Sequence, residues 1–422
     1  MTAEVVQAVA SSPFTALGLH AGLVRAVLDE QYSQPSPVQV QVVPHVLAGR
    51  DVLACAQTGT GKTAAFVLPL LQRMTAPDSP APASTRRVIR TLVLTPTREL
   101  AAQIAERVEA YGRHLDVRVP HAVIYGGVNQ QRQEHALRTG PELVVATPGR
   151  LLDLMGQGLV RLDAVAHFVL DEADRMLDMG FLPDVRRIVA KLPVRRQTLF
   201  FSATMPPVVE GLARSMLVDP ARVAIAPTVT TAESVDQSVV FVARTEKRAL
   251  LETLLRAPDV ERALVFTRTK HGANRLCEQL DRAGIDTAAL HGNKTQSARE
   301  RALEAFRQGT TRVLVATDIA ARGIDVDGIS LVVNFDLPNV PESYVHRIGR
   351  TGRAGAVGRA VSFCDHEERP LLRDIERFIR RSLPASGDDR EPQGTAPAAS
   401  SAPASPERPR SGGRRCRGTR RW

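Results

Sequence analysis

Short β-rich apolar runs alternate with helical stretches, twice over, and this alternation narrows the fold more than any other feature of the chain. From about residue 50 to residue 226 the strand candidates are Val52–Ala56, Thr91–Thr95, Leu143–Ala146, His167–Leu170 and Thr198–Phe201. Between them, Leu100–Tyr111 repeats apolar residues at helical spacing. Near-continuous apolar strands separated by helices are buried on both faces, which calls for a mostly parallel sheet with helices on either side. The pattern pauses at Pro227–Asp236, PTVTTAESVD, which reads as a linker. It then resumes with Ala263–Thr267, Thr287–Leu290, Arg312–Ala316, Leu331–Asn334 and Ala360–Phe363. A last helix begins near Pro370 and puts Leu371, Leu372, Ile375, Phe378 and Ile379 on one face. The expected architecture is α/β: a domain over 1–226, a linker over 227–236 and a second domain over 237–383. Residues 384–422 have almost no large apolar side chains and read as a disordered, Arg-rich tail. A Pro/Ala/Ser stretch, Ala76–Thr85, reads as an exposed excursion of the first domain. No tandem sequence repeat is evident; the two halves resemble each other in pattern alone.

Composition bounds the partners. Lys and Arg outnumber Asp and Glu 55 to 45, a formal charge of +10. That excess suits a polyanion without saying which, and a basic enzyme with no nucleic-acid partner would look the same. Aromatics make up 4% of the chain, too few for a base-stacking platform. Cys55, Cys277, Cys364 and Cys416 form no CxxC pair, so neither a zinc site nor a disulfide framework is implied, and a reducing cytosol fits. No apolar run approaches the roughly 18 residues of a membrane span. Glu4 and the lack of a basic leader argue against a signal peptide, so the expected location is cytoplasmic.

Ala56-Gln-Thr-Gly-Thr-Gly-Lys-Thr63 follows a strand and precedes a helix. Gly59 and Gly61 let the backbone curl, so that the loop Thr58–Thr63 can turn successive N–H groups, including those at Thr60 and Gly61, toward an anion. Lys62 can reach β- and γ-phosphates, and the Thr63 hydroxyl can ligate Mg²⁺. Ala56 stands where the strict pattern has glycine. About a hundred residues on, Phe168-Val-Leu-Asp-Glu-Ala-Asp174 is an apolar strand ending in acids. Asp171 would hold the metal and Glu172 would orient and deprotonate the attacking water.

Asp171-Glu172-Ala173-Asp174 spells the signature of the DEAD-box proteins, a family of superfamily-2 RNA helicases, and the chain resembles that family from Phe14 to about Leu383. The same series continues with Pro96-Thr-Arg-Glu-Leu100, Gly126-Gly127, Thr147-Pro-Gly-Arg150 and Ser202-Ala-Thr204. In the second half it includes Val265-Phe266, His291-Gly292 with Gln296 and Arg299, Ala316–Asp325 and His346-Arg-Ile-Gly-Arg-Thr-Gly-Arg353. His291–Gln296 is similar to bacterial RhlE-type members, which hints at ribosomal or RNA-turnover complexes.

The resemblance implies two tandem RecA-like domains, ATP and Mg²⁺, and RNA gripped through its backbone without sequence preference. Tyr32-Ser-Gln-Pro-Ser-Pro-Val-Gln39 looks like the family's Q motif. Gln39 has the donor and acceptor to pair with adenine N6 and N7, and Tyr32 would stack on the base. Phe14 resembles the motif's upstream aromatic, with core packing as the competing role. Gln31 stands where glycine is usual, and Ser36 where threonine is commoner.

By resemblance, Arg350 and Arg353 are arginine fingers from the second domain and Asp325 touches the ribose. His346 couples to Asp174, Ser202 and Thr204. An RNA track runs over Thr97, Arg98, Gly126, Gly127, Thr147, Gly149 and Arg150, continuing through Arg299, Thr317 and Gly323. Glycines there expose N–H groups, hydroxyls donate and arginines neutralise, all of which suits phosphates. The expected activity is RNA-dependent ATP hydrolysis coupled to local unwinding of short duplexes or remodelling of RNA–protein complexes. An ATP-gated RNA clamp would use the same motifs, and a DNA translocase of a neighbouring family is a third reading. The seven arginines of Arg408–Arg421 could tether RNA or simply be solvated.

Overall fold

The computed structural model describes residues 3–57, 59–76, 88–225, 235–321, 326, 328–352 and 358–387. The expected tail beyond residue 387 and most of the Pro/Ala/Ser stretch lie outside them.

The first sheet contains β1 (Val52–Cys55), β2 (Thr91–Leu94), β3 (His121–Ile124), β4 (Leu143–Ala146), β5 (His167–Leu170), β6 (Gln197–Ser202) and β7 (Ala221–Ala224). Their spatial order is β3-β4-β2-β5-β6-β1-β7. The second contains β8 (Val235–Phe241), β9 (Ala263–Phe266), β10 (Thr287–Leu290), β11 (Val313–Ala316), β12 (Leu331–Asn334), β13 (Gly358–Cys364) and β14 (Ala385–Gly387), ordered β10-β11-β9-β12-β13-β8-β14. Every pairing in both sheets is parallel. Strand for strand the two orders are the same, so the halves share a topology although their sequences show no repeat. The two lobes are RecA-like.

Period-2 alternation divides each strand between two cores. In the first lobe Leu92, Leu94, Phe168, Leu170 and Phe200 pack into one cluster, while Val93, Val169, Leu199 and Phe201 pack into the cluster on the other face. The central strands are wholly buried, which is why they read as plain apolar runs. The edges read differently. β7 alternates buried and exposed residues and β3 alternates buried and half-buried ones, so neither gives an apolar run. Two expected boundaries also move. Val235 and Asp236, assigned to the linker, open β8, and Ala385–Gly387, assigned to the tail, pair with Val239–Phe241 as an edge strand.

Of the three arginines in the His346–Arg353 segment, Arg347 belongs to the fold. Its guanidinium bonds both carboxylate oxygens of Asp318 at 2.5 and 2.8 Å, and also Asn334 Oδ1 and the Asp336 carbonyl. It lies 5.0 Å from the centre of the Phe266 ring. Removing one partner of a buried pair strands the other. Arg347→Ala should therefore destabilise the chain by about 3 kcal/mol, read as a lower denaturant midpoint. An unchanged midpoint would contradict this assignment.

Candidate active site

Parallel strands deliver their loops to one edge, and ligands bind in the crevice outside those carboxyl ends. In the first sheet the phosphate-loop sequence follows β1, the Asp171–Asp174 acids follow β5, and Ser202 ends β6. These three strands are neighbours. The expected RNA residues follow β2, β3 and β4, the adjacent group of strands. One sheet edge is thus divided into two contiguous halves.

In the first half, Gly59 and Gly61 take φ of 82° and 90°, the left-handed region that the curled loop requires. Gly61 is doubly constrained, because a Cβ there would lie 2.4 Å from Gln39 Nε2. The helix Lys62–Thr75 starts at the loop's end, Lys62 Nζ donates to the Ala56 carbonyl at 2.7 Å, and the Thr60 hydroxyl donates to the Gln57 carbonyl. Thr63 faces the cleft beside Asp171 and Glu172. Thr58 is outside the described residues.

Asp171 is buried and, among the described residues, accepts only a backbone N–H, from Glu172 at 2.9 Å. Burial, eased by Lys62 and reinforced by Glu172, pushes its carboxyl well above the usual range. A carboxylate so poorly compensated, with Thr63 lining the same cleft, matches the hard-oxygen set that holds Mg²⁺ together with phosphate oxygens. Glu172 sits at φ 54°, ψ 51°, an uncommon conformation for a non-glycine residue, and pairs with buried Arg175 at 2.8 Å. Asp174 is joined to the loop after β6: its Oδ2 accepts from the N–H groups of Ala203 and Thr204 and from the Thr204 hydroxyl, and its own N–H donates to Ser202 Oγ. Burial pushes Asp174 up, but Lys62 and the Thr204 bonds outweigh it, and its carboxyl stays below the ordinary value.

The Q-motif segment closes the cleft from above. Tyr32 lines it and meets Tyr111 edge-on, with ring centroids 6.5 Å apart. Both ends of the Gln39 amide are already engaged: Oε1 accepts from the Ser36 N–H at 2.9 Å and Nε2 donates to the Gly61 carbonyl at 3.1 Å. Reading adenine would require exchanging both bonds. Of the two roles open to Phe14, the structure shows core packing: the ring is 0% exposed inside the first lobe's core.

The second lobe completes a cleft of about 1120 Å³ with Arg262, Arg307, Val326 and Arg350. Asp325 and Arg353 lie outside the described residues. His346 is half-buried on the helix Pro341–Ile348, and its carbonyl accepts from Arg350 Nε at 3.2 Å.

Along the other half of the edge, Thr97 caps the helix Arg98–Gly112 by accepting from the Leu100 N–H. Gly127, at φ 79°, leaves room for Arg98, whose Nη1 a Cβ would meet at 2.0 Å. Burial, and then the charges of Arg299 and Arg150, hold Arg98 below the usual guanidinium range. Arg150 Nη1 is buried without a partner. Crowded cations with spare donors are what a phosphate would relieve. Thr147 occupies the N-cap position of the helix Pro148–Gly156 without a side-chain capping bond, and a Cβ at Gly149 would meet nothing within 4 Å. Gly126 and Thr317 lie on the same two strand-end edges. Gly323 is outside the described residues.

Arg299, expected on the RNA track, is engaged across the lobes. It is ion-paired at 2.9 Å with Glu99 of the other lobe, and Gln296 Nε2 reaches the same carboxylate at 3.3 Å. Glu99, Arg175 and the cleft-facing Leu100, Gln103 and Arg107 were not singled out from sequence. A signal existed for some: three- and four-residue spacings place Leu100, Gln103 and Arg107 on one helix face, and Glu172 with Arg175 on one turn.

Two RecA-like lobes with a phosphate loop in one and an arginine-lined wall in the other define a two-lobed nucleotide-binding protein. Residues 36–212 match the family model described as DEAD/DEAH box helicase, and residues 246–355 match the helicase conserved C-terminal domain. The chain is 47% identical over 371 residues to the ATP-dependent RNA helicase DeaD of Escherichia coli strain K12, covering 88% of this chain and 58% of that relative. It is 41% identical over 370 residues to the DEAD-box ATP-dependent RNA helicase CshA of Bacillus cereus, covering 88% and 69%. Its fold is similar to S. cerevisiae Dbp5 bound to RNA and ADP BeF3, with a TM-score of 0.78, 31% identity, and coverage of 90% of this chain and 96% of that one. It is likewise similar to Mss116p bound to ssRNA and AMP-PNP, at TM-score 0.78 and 28% identity, covering 91% and 80%. The chain belongs to the DEAD-box helicase family. It spans little more than half the length of the DeaD relatives it matches. Among the described residues no helix is long and apolar enough to cross a membrane.

Gly61→Ala should abolish nucleotide binding while leaving the thermal transition in place, because the added methyl collides with the Gln39 amide. Titration with a fluorescent ATP analogue checks this. Wild-type affinity in the variant would contradict the loop geometry.

Proposed function

We propose that this chain is an RNA-dependent ATPase that uses closure of its lobes to separate short RNA duplexes locally or to remodel RNA–protein complexes. The observation that carries the reading is the split cleft: the phosphate loop, Asp171 and Glu172 come from one lobe and Arg350 from the other. The functional bodies would be residues 1–226 and 235–387, joined by the intervening segment. The relatives' names and the RNA-bound neighbours support RNA as the polyanion.

Lys62 would exchange its bond to the Ala56 carbonyl for phosphate oxygens, and the loop N–H groups would hold the β-phosphate. Thr63 and Asp171 would hold Mg²⁺, which when bound neutralises charge on the phosphates. Glu172 would take a proton from the attacking water. Arg350, with Arg353, would meet the charge that grows on the transferred phosphoryl group. The Gln39 amide would leave Ser36 and Gly61 for adenine, Tyr32 would cover the base and Asp325 would meet the ribose. Asp174, Ser202, Thr204 and His346 would report occupancy of the cleft to the RNA half of the edge.

RNA would be held by Thr97, Arg98, Gly126, Gly127, Thr147, Gly149 and Arg150 of one lobe and by Thr317 and Gly323 of the other. Because one strand then spans both lobes, RNA favours closure by its differential affinity for the closed state. The Glu99–Arg299 pair lies among these residues and adds to the same equilibrium. A cytoplasmic location and work on ribosomal or RNA-turnover complexes fit this reading; the similarity to DeaD and CshA does not single out the RhlE type.

ATP turnover is measured with RNA, with DNA of the same sequence and with neither. RNA should stimulate turnover by ~5–150-fold, DNA should not, and Lys62→Ala should remove at least ~100-fold of it. Equal stimulation by DNA would overturn the RNA assignment, and no multiple turnover on a short duplex would favour a clamp. Glu99→Gln should raise the RNA concentration for half-maximal turnover by about tenfold, equivalent to about 1.4 kcal/mol, with nucleotide affinity unchanged. An unmoved RNA requirement would mean that the interlobe pair plays no part in closure.

A further inference from the structure

Arg175 directly follows the four signature residues and is among the largest wholly buried side chains of the molecule. Its Nη1 donates to Glu172 Oε2 at 2.8 Å, and its backbone N–H donates to Asp174 Oδ1 at 3.1 Å. The pair is closed to solvent, the side chains being 1% and 6% exposed. Among the described residues, Arg175 is the only hydrogen-bond partner of the Glu172 carboxylate, and Arg175 Nη2 is buried with no partner at all.

Each of these features costs free energy. A buried guanidinium must be matched, a buried donor left unpaired is penalised, and Glu172 holds a left-handed backbone without being glycine. Unfavourable features concentrated on one pair persist where the surrounding structure fixes a geometry that function needs. A surface ion pair would show none of them.

We propose that Arg175 is a positioning residue for phosphate-bond hydrolysis, resting on the ATPase reading of the same site. Its guanidinium grips one carboxylate oxygen of Glu172 and thereby aims the other, Oε1, at the attacking water. In the step it serves, the water oxygen bonds to the γ-phosphorus and the water proton passes to Oε1. The bond from phosphorus to the β–γ bridging oxygen breaks, and ADP leaves with that electron pair. Arg175 touches neither water nor nucleotide; it removes the rotational freedom that would let Glu172 swing away.

The test is a double-mutant cycle on the full chain, with saturating RNA, using Arg175→Gln, Arg175→Met and Arg175→Lys in the wild-type and E172Q backgrounds. In the wild-type background, R175Q and R175M should lower kcat by about 10- to 100-fold, with KM for ATP and half-saturating RNA within about twofold of wild type. R175K, which keeps the charge but not the planar fork, should recover part of the loss. On E172Q the same changes should cost nothing further, because the group being aimed is already disabled. Losses that multiply on E172Q, or a folded R175Q with unchanged kcat, would overturn the proposal. Should R175Q and R175M fail to fold, the cycle is read from R175K alone, and additive losses there overturn it equally. Absence of RNA-stimulated turnover in the wild type would instead sink the ATPase reading itself.

Discussion

The charged side chains that line the cleft are divided between two sheets, and neither lobe supplies them all. Lys62, Asp171 and Glu172 hang from β1 and β5 of the first sheet, while Arg350 reaches the same cleft from the second. A dissociative phosphoryl transfer needs little covalent help and much electrostatic stabilisation, so a missing wall is a missing catalyst. On the ATPase reading proposed for this cleft, interlobe geometry would set the rate, and whatever biases that geometry would regulate turnover.

The shared strand order makes such bias possible. In the first sheet the loops after neighbouring strands face the cleft, and the nucleotide loops and the expected RNA residues occupy adjoining halves of one edge. The helix Arg98–Gly112 runs between them. It begins beside Arg98 and Glu99, at the RNA side and the interlobe pair, and its Leu100, Gln103 and Arg107 line the nucleotide cleft. The same helix thus lines the cleft and carries one side of the interlobe ion pair. Asp174 provides a second link, tying the acids after β5 to the loop after β6 through four hydrogen bonds.

Much of this was legible in the chain because burial on both faces writes plain apolar runs: β4, β5 and β12 begin and end where those runs do. Edge strands are solvated on part of their surface, so β3 and β7 left only short alternations, and β8 and β14 were partly absorbed into a linker and a tail. The phosphate loop and the acidic signature were legible because their chemistry demands particular residues in consecutive order. Partnerships across the fold were not. A sequence shows that Arg299 is basic, but only the fold shows Glu99 2.9 Å away from it. Gln39 was recognisable as an amide suited to adenine, yet its bond to Gly61 depends on how two segments 22 residues apart meet. Phe14 was ambiguous for the same reason, since an aromatic ring serves a core as readily as a base.

The division of charge across the lobes is tested most directly by removing the second lobe's contribution while leaving the first intact. Arg350→Ala, assayed at saturating ATP and RNA, should still bind both ligands but hydrolyse ATP about 1000-fold or more slowly. Turnover within a few-fold of the wild type would mean that one lobe cleaves ATP unaided and that closure is not what completes the catalytic site.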